Sequence, residues 1–132
     1  MDELVALLRP KGVGVVVLHE DGCPQLKLME RVRSRLGLPN IRLVTSSDLT
    51  SLLRQRVASV FVNRCISHWR VPLGDLVRNR GFFFHCGDLA YDTVFDAVRT
   101  EVDGDEASFE CWNALVVFER DAHNRRDKYP DL

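Results

Sequence analysis

The side chains that could do chemistry in this chain are its four histidines, its four cysteines and a few clustered acids. Three of them, His19, Glu20 and Asp21, close a near-continuous apolar run that begins at Gly12. The carboxyl end of a buried strand is where open α/β sheets bind ligands, so a general base or a metal ligand is physically reasonable here. No second motif supplies a partner for that chemistry. The pattern therefore favours a polar binding loop that turns at Gly22 over a catalytic residue.

A second group of reactive residues has the types that bind zinc. Cys65 and His68 form a C-x2-H pair, and His85 and Cys86 end another apolar run. Four such ligands could converge on one ion, but neighbouring strand residues point to opposite faces, which makes an adjacent His-Cys pair awkward. Buried cysteines that act as small apolar side chains are the favoured interpretation. We therefore expect no cofactor and no enzyme activity, with a small metal-dependent or Cys/His hydrolase as the least favoured alternative.

Charge is divided unevenly along the chain. The net charge is −1, yet residues 24–80 contain eleven Lys and Arg against three acids, whereas residues 88–110 contain eight acids and one arginine. Surfaces of opposite sign favour association with a protein partner or a second copy, and an arginine-rich face could also follow the phosphates of RNA. Trp69 is a candidate anchor because tryptophan is enriched at interface hot spots. The expected basic side is formed by Arg31, Arg35, Arg54 and Arg56, and the expected acidic side by Asp92, Asp96 and Glu106.

Strand and helix patterns alternate through the sequence. Gly12 to His19 is apolar almost throughout, which is typical of a central strand buried on both faces. Alternating strands and helices predict parallel pairing with right-handed crossovers. We therefore expect a single-domain three-layer α/β/α sandwich over 1–120, with a mostly parallel or mixed central sheet of about four to five strands, and a charged tail at 121–132. The strands are predicted at 12–19, 40–44, 57–62, 82–85 and 109–118, and helices from 25, 72 and 88. A further helix is predicted after an N-cap at Thr45, Ser46 or Ser47.

The stretch from residue 13 to about residue 81 resembles a known fold. Its segments VVVLHEDG, NIRLVTSSDLTSLL and ASVFVN, followed by HW and a proline, are similar to the growth-arrest and DNA-damage-inducible stress proteins, a branch of the fold of the kink-turn-binding ribosomal proteins. The loop with which the RNA-binding branch grips a kink-turn has no counterpart here. The resemblance implies an adaptor for kinases, cell-cycle proteins or replication factors, with Glu20 and Asp21 in the acidic loop of the family.

These patterns favour a non-catalytic protein-interaction or adaptor module, regulatory in stress or the cell cycle, that binds a protein partner or self-associates. An RNA-binding protein that uses the arginine-rich face is the alternative. No apolar run approaches the length of a membrane span or has the form of a signal peptide, and the cysteines lack CxxC pairs. We expect an intracellular protein, cytoplasmic or nuclear, without membrane contact.

Overall fold

A computed structural model describes residues 5–8, 11–57 and 59–120. Three strands in this part of the chain form one antiparallel sheet in the order β1, β3, β2. The pairing of β1 with β3 runs from Val13 opposite Glu119 to His19 opposite Asn113. The elements are β1 (Val13–His19), α1 (Pro24–Arg35), α2 (Ser46–Arg54), β2 (Ser59–Pro72), α3 (Leu73–Arg78), α4 (Arg80–Phe84), α5 (Tyr91–Glu101) and β3 (Glu106–Glu119).

The predicted three-layer sandwich with a parallel or mixed sheet of four to five strands is wrong. Residues 40–44 have no regular structure, and the predicted strand at 82–85 belongs to helix α4, after which His85 takes a left-handed φ of 52°. Strand β2 does not end near residue 62 but continues to Pro72. The predicted strands at 57–62 and 109–118 thus correspond to two longer strands of 14 residues each, β2 and β3.

The chain divides into two compact units. Unit 1 comprises Met1–Asp21, Val44–Cys65 and Asn113–Leu132, and unit 2 comprises Gly22–Leu43 and Ile66–Trp112. The single domain expected over 1–120 stays a prediction. The charged tail expected at 121–132 lies outside the described residues.

Unit 1 has its core on one side of β1 and the second half of β3. Helix α2 begins after Thr45, whose backbone N–H donates to Asp48 Oδ2 at 3.2 Å, half of a capping box. Gly14 lies against the Phe118 ring, where an added Cβ would fall 2.3 Å from the nearest ring atom. Position 14 therefore admits no side chain while Phe118 keeps its place. The buried residues of this core are Val5, Leu49, Leu53, Ala114, Val116 and Phe118.

Unit 2 packs its helices around a larger core. Helix α1 begins at Pro24, a favourable first residue, and ends before Gly37, whose φ of 71° and N–H bond to the Ser34 carbonyl close the helix. Val32 and Val98 are fully buried, while Leu43 is half-buried against this core. The buried core comprises Leu28, Met29, Val32, Leu73, Leu76, Val77, Phe83, Phe84, Cys86, Val94, Ala97, Val98, Ala107 and Phe109.

Arg33 holds the end of α4 inside unit 2. The residue is only 5% exposed, and its guanidinium donates to the carbonyl oxygens of Pro39, Phe84 and His85 at 2.8 to 3.1 Å. Carbonyl groups at a helix end lack intrahelical donors, so this side chain supplies them. The aromatic run that the sequence pattern assigned to a strand is held as a helix in this way.

Candidate interaction surface

The outward face of unit 1's sheet is apolar and uncovered. Val13, Val15 and Val17 are 58%, 58% and 61% exposed, although β1 was predicted to be a central strand buried on both faces. That prediction is wrong because only one face of β1 packs against a core, through Val16 and Leu18. The strand is also at the edge of the sheet. The half-buried Val117 and Leu115 lie opposite Val15 and Val17 on β3.

Strand alternation adds one residue of β2 to this face. Val60 packs against the core of unit 1, so its neighbour Phe61 points to the opposite side of the sheet and is 63% exposed. We call this surface the valine face. It consists of Val13, Val15, Val17, Phe61, Leu115 and Val117.

In the described parts of β1 and β3, the charged residues on this side of the sheet lie at the strand ends. Lys11 precedes β1, and its backbone N–H donates to the Arg120 carbonyl at 3.2 Å, so its backbone lies at the end of the face where Val13 pairs with Glu119. Both Lys11 and Glu119 are exposed. At the other end, burial lowers the pKa of His19. The centre of the face therefore offers apolar contact, and one end offers a pair of opposite charges.

The predicted acidic loop is engaged within unit 1. Glu20 is only 8% exposed and forms an ion pair with Arg64. The Ser47 hydroxyl donates to Asp21, and hydrogen bonds from Ser47 and Thr45 lower the pKa of that carboxyl group. Both acids fix the loop to its own unit, and their predicted contact with a partner stays a prediction.

The charge division is partly neutralised within the chain. Arg31 and Arg35, on the predicted basic side, both bind Glu101, whose pKa is lowered chiefly by the hydrogen bond from Arg35. Glu106, on the predicted acidic side, lies 3.4 Å from Arg70. Asp92 and Asp96 are exposed on α5. Arg54 is exposed at the end of α2, and the Arg56 guanidinium donates to the Leu52 carbonyl at 3.0 Å.

Several other cations of the basic stretch also have internal partners. Arg80, for example, donates to the Leu89 and Val77 carbonyls at 2.8 and 2.9 Å. Phosphate binding requires cations that can exchange solvent for the phosphate oxygens. The described contacts therefore add no support to the RNA alternative. The cations of this stretch that make an ion pair or bind a backbone carbonyl include Arg31, Arg33, Arg35, Arg56, Arg64, Arg70, Arg78 and Arg80.

Trp69, the predicted anchor, belongs to an aromatic cluster of unit 2. Its ring is 39% exposed, stacks on Phe109 with centroids 6.5 Å apart, and meets Phe83 edge to face at 6.5 Å. Its indole N–H donates to Ser67 Oγ at 2.9 Å. The side chain is partly available to a partner, but its packing within unit 2 accounts for its position.

The weak zinc candidates have separate environments. Cys65 is exposed on β2 in unit 1, and Cys86 is buried in unit 2, where burial raises the pKa of its thiol. Within the described part of unit 2, His68, His85 and Cys86 do not gather as a set of metal ligands. His68 instead contacts the Ser108 hydroxyl, with 2.9 Å between Nε2 and Oγ.

The Ser108 and His68 pair lines a cleft of about 540 Å³ in unit 2 and was missed by sequence reasoning. A serine nucleophile needs a histidine base that a third group orients. The carboxylates beside Ser108 on β3 face other partners: Glu106 pairs with Arg70, and Glu110 accepts the Trp112 indole N–H at 2.7 Å. We therefore interpret the pair as a hydrogen bond between the neighbouring strands β2 and β3.

Comparison with models of protein families and with curated proteins found no match for this chain. The resemblance to the stress proteins stays a prediction. Across the residues that the structure describes, every helix is too short or too polar to cross a membrane.

Proposed function

We propose that this chain is a non-catalytic protein-interaction module whose contact surface is the valine face of unit 1. The observation that carries the proposal is the exposure of Val13, Val15 and Val17, each near 60%, in one row of β1. Single exposed apolar residues are ordinary, but contiguous apolar patches on a folded surface mark interaction sites.

The sequence of β1 supports the same proposal. Its apolar run has the composition of a strand covered on both faces, whereas only Gly14, Val16 and Leu18 face the core of unit 1. A bound partner would supply the second cover. Burying apolar surface is the main driving force of most protein associations.

The module is placed inside the cell as part of this proposal. Its four cysteines, all among the described residues, form no disulfide, and three of them are buried. Free thiols are typical of a reducing compartment. An adaptor role in stress or the cell cycle, which the resemblance implies, is compatible with a binding surface that carries no catalytic group.

Site-specific photocrosslinking tests the proposal. A benzophenone amino acid replaces Val15 or Phe61 on the valine face, and as a control it replaces Phe82, which is 68% exposed in unit 2. We expect covalent protein adducts from positions 15 and 61 after irradiation of cells that express the chain, and none from position 82. Val17→Glu should remove the adducts without changing the circular dichroism spectrum, because position 17 faces away from the core.

Two results would contradict the proposal. Adducts of equal yield from positions 15 and 82 would show random contact. The complete absence of adducts from positions 15 and 61, including adducts between two copies, would show that the valine face stays bare in the cell.

A further inference from the structure

We infer that the occupant of the valine face is a second copy of this chain, packed sheet to sheet about a two-fold axis. This inference rests on the proposed function, because it names the partner of the same surface. The chemistry of the face, the charges at its end and the composition of residues 121–132 support it.

The face is complementary to itself. All six of its side chains are apolar, and the row of β-branched valines resembles the inner face of a β-sandwich, in which two sheets pack about 10 Å apart. Two copies placed together bury only apolar groups, so no polar atom loses its solvent without a partner. Closed two-fold dimers are the commonest assemblies of identical chains.

The composition of residues 121–132 is poorly suited to covering this face. Residues 121–132 have the sequence DAHNRRDKYPDL, in which seven side chains are Asp, Arg, Lys or His. Burying these groups against valine would cost free energy unless each found a partner. A second valine face has no such cost.

The charges at the end of the face select one arrangement of the two copies. In this arrangement the two-fold axis lies between the two sheets and runs parallel to the strands. It places β1 of one copy over β3 of the other, and the ends marked by Val13 and Glu119 lie at the same end of the dimer. The valines of β1 then face Leu115 and Val117 of the second copy. Lys11 of each copy faces Glu119 of the other, because these residues mark the β1 and β3 sides of the same end. The dimer gains two salt bridges at its rim.

The size of the face predicts a weak dimer. The face has six side chains, whereas a standard interface uses about 20–30 residues from each partner. We expect monomer and dimer in equilibrium at micromolar concentrations, with the apolar contact setting stability and the rim charges setting register. Raising the salt concentration should weaken the dimer only a few-fold, since salt screens the rim pairs and leaves the apolar centre.

Sedimentation equilibrium of the full chain tests the inference. Cys65→Ser serves as the background, because Cys65 is the exposed thiol among the four cysteines and could form adventitious disulfides. Val15→Glu should raise the dimer dissociation constant at least tenfold, whereas Arg54→Glu, an exposed change on α2, should leave it within about twofold. Circular dichroism of each variant checks that the fold is kept.

A charge swap distinguishes a second copy from a different protein. Lys11→Glu should raise the dissociation constant about three- to tenfold through like-charge contact with Glu119. The double variant Lys11→Glu/Glu119→Lys should restore wild-type association, because both copies carry the exchange. A different protein would keep its own charges, and the double variant would then bind it no better than the single one.

The outcomes separate the two proposals. A chain that stays monomeric at high micromolar concentration while position 15 still gives adducts to another protein would overturn the second copy and keep the interaction surface. A dimer that Val15→Glu does not weaken, or that the charge swap does not restore, would overturn the sheet-to-sheet arrangement. Loss of all adducts and of the dimer together would overturn both.

Discussion

Each half of β3 buries the side chains on one face of the strand, but the side chains on the opposite face differ between the two halves. In unit 2, buried Ala107, Phe109 and Cys111 alternate with Glu106, Ser108 and Glu110. In unit 1, buried Ala114, Val116 and Phe118 alternate with Leu115 and Val117. The buried set changes from odd to even numbers between Cys111 and Ala114. A single strand thus carries a solvent face in one unit and an apolar face in the other, and only the apolar half has the composition of a surface that a partner covers.

The largest effect should come from the buried side of unit 1. Phe118→Ala removes a ring that is 1% exposed and should lower the free energy of unfolding by about 3–5 kcal/mol. Val15→Ala, on the valine face, should change it by less than about 0.5 kcal/mol in dilute monomer, because exposed positions contribute little. Urea denaturation measures both. Comparable losses from the two changes would mean that the valine face is part of the folded core, and the contrast between the sides of the sheet would fail.

A smaller effect should come from Arg33 in unit 2. Arg33→Met leaves the Pro39, Phe84 and His85 carbonyls without this donor and should cost about 2–3 kcal/mol of stability. Arg31→Met is the matched control from the same helix, since its exposed pair with Glu101 should contribute less than about 1 kcal/mol. Thermal unfolding followed by circular dichroism compares the two variants. If the two substitutions lower the free energy of unfolding equally, the hydrogen bonds of the buried Arg33 stabilise unit 2 no more than the exposed ion pair of Arg31 does.

The smallest effect should be a pH dependence from His19. Burial holds its pKa in the folded state below the value of about 6.5 for an exposed histidine, so the unfolded chain binds a proton first as pH falls. The stability linked to His19 is therefore complete above about pH 6.5 and is lost as pH falls through that value toward the folded pKa. Denaturation between pH 8 and 5.5 should show a steeper loss for the wild type than for His19→Gln. An equal pH dependence of stability in the two proteins would mean that His19, at the end of the valine face, is exposed to water in the folded state.

Local patterns in the sequence predict helices α1 and α2 well. Pro24 and Gly37 bracket α1, Thr45 precedes α2, and both signals depend on residues within one turn of the helix end. The predicted strands at 12–19 and 109–118 also exist, with β3 three residues longer at its start. These features are fixed by short-range chemistry, which a single sequence contains.

Pairing between distant strands could not be predicted in the same way. An apolar run such as Val13–His19 is compatible with a central parallel strand or with an antiparallel edge strand that has a bare face, because periodicity alone does not distinguish them. The aromatic residues at 82–84 fit either a strand or a short helix, and Arg33, 49 residues or more away, supplies the donor that ends the helix. The valine face was not predicted for this reason, although its residues lie within the predicted strands at 12–19, 57–62 and 109–118.

The close approach of Gly14 to Phe118 gives a criterion for finding relatives of this chain. Since a Cβ at position 14 would overlap the ring, any relative with a larger residue there must carry a smaller one at position 118. The two positions, 104 residues apart in sequence, are expected to vary together. Their covariation in an alignment would identify the same sheet in sequences too divergent to be recognised by overall identity.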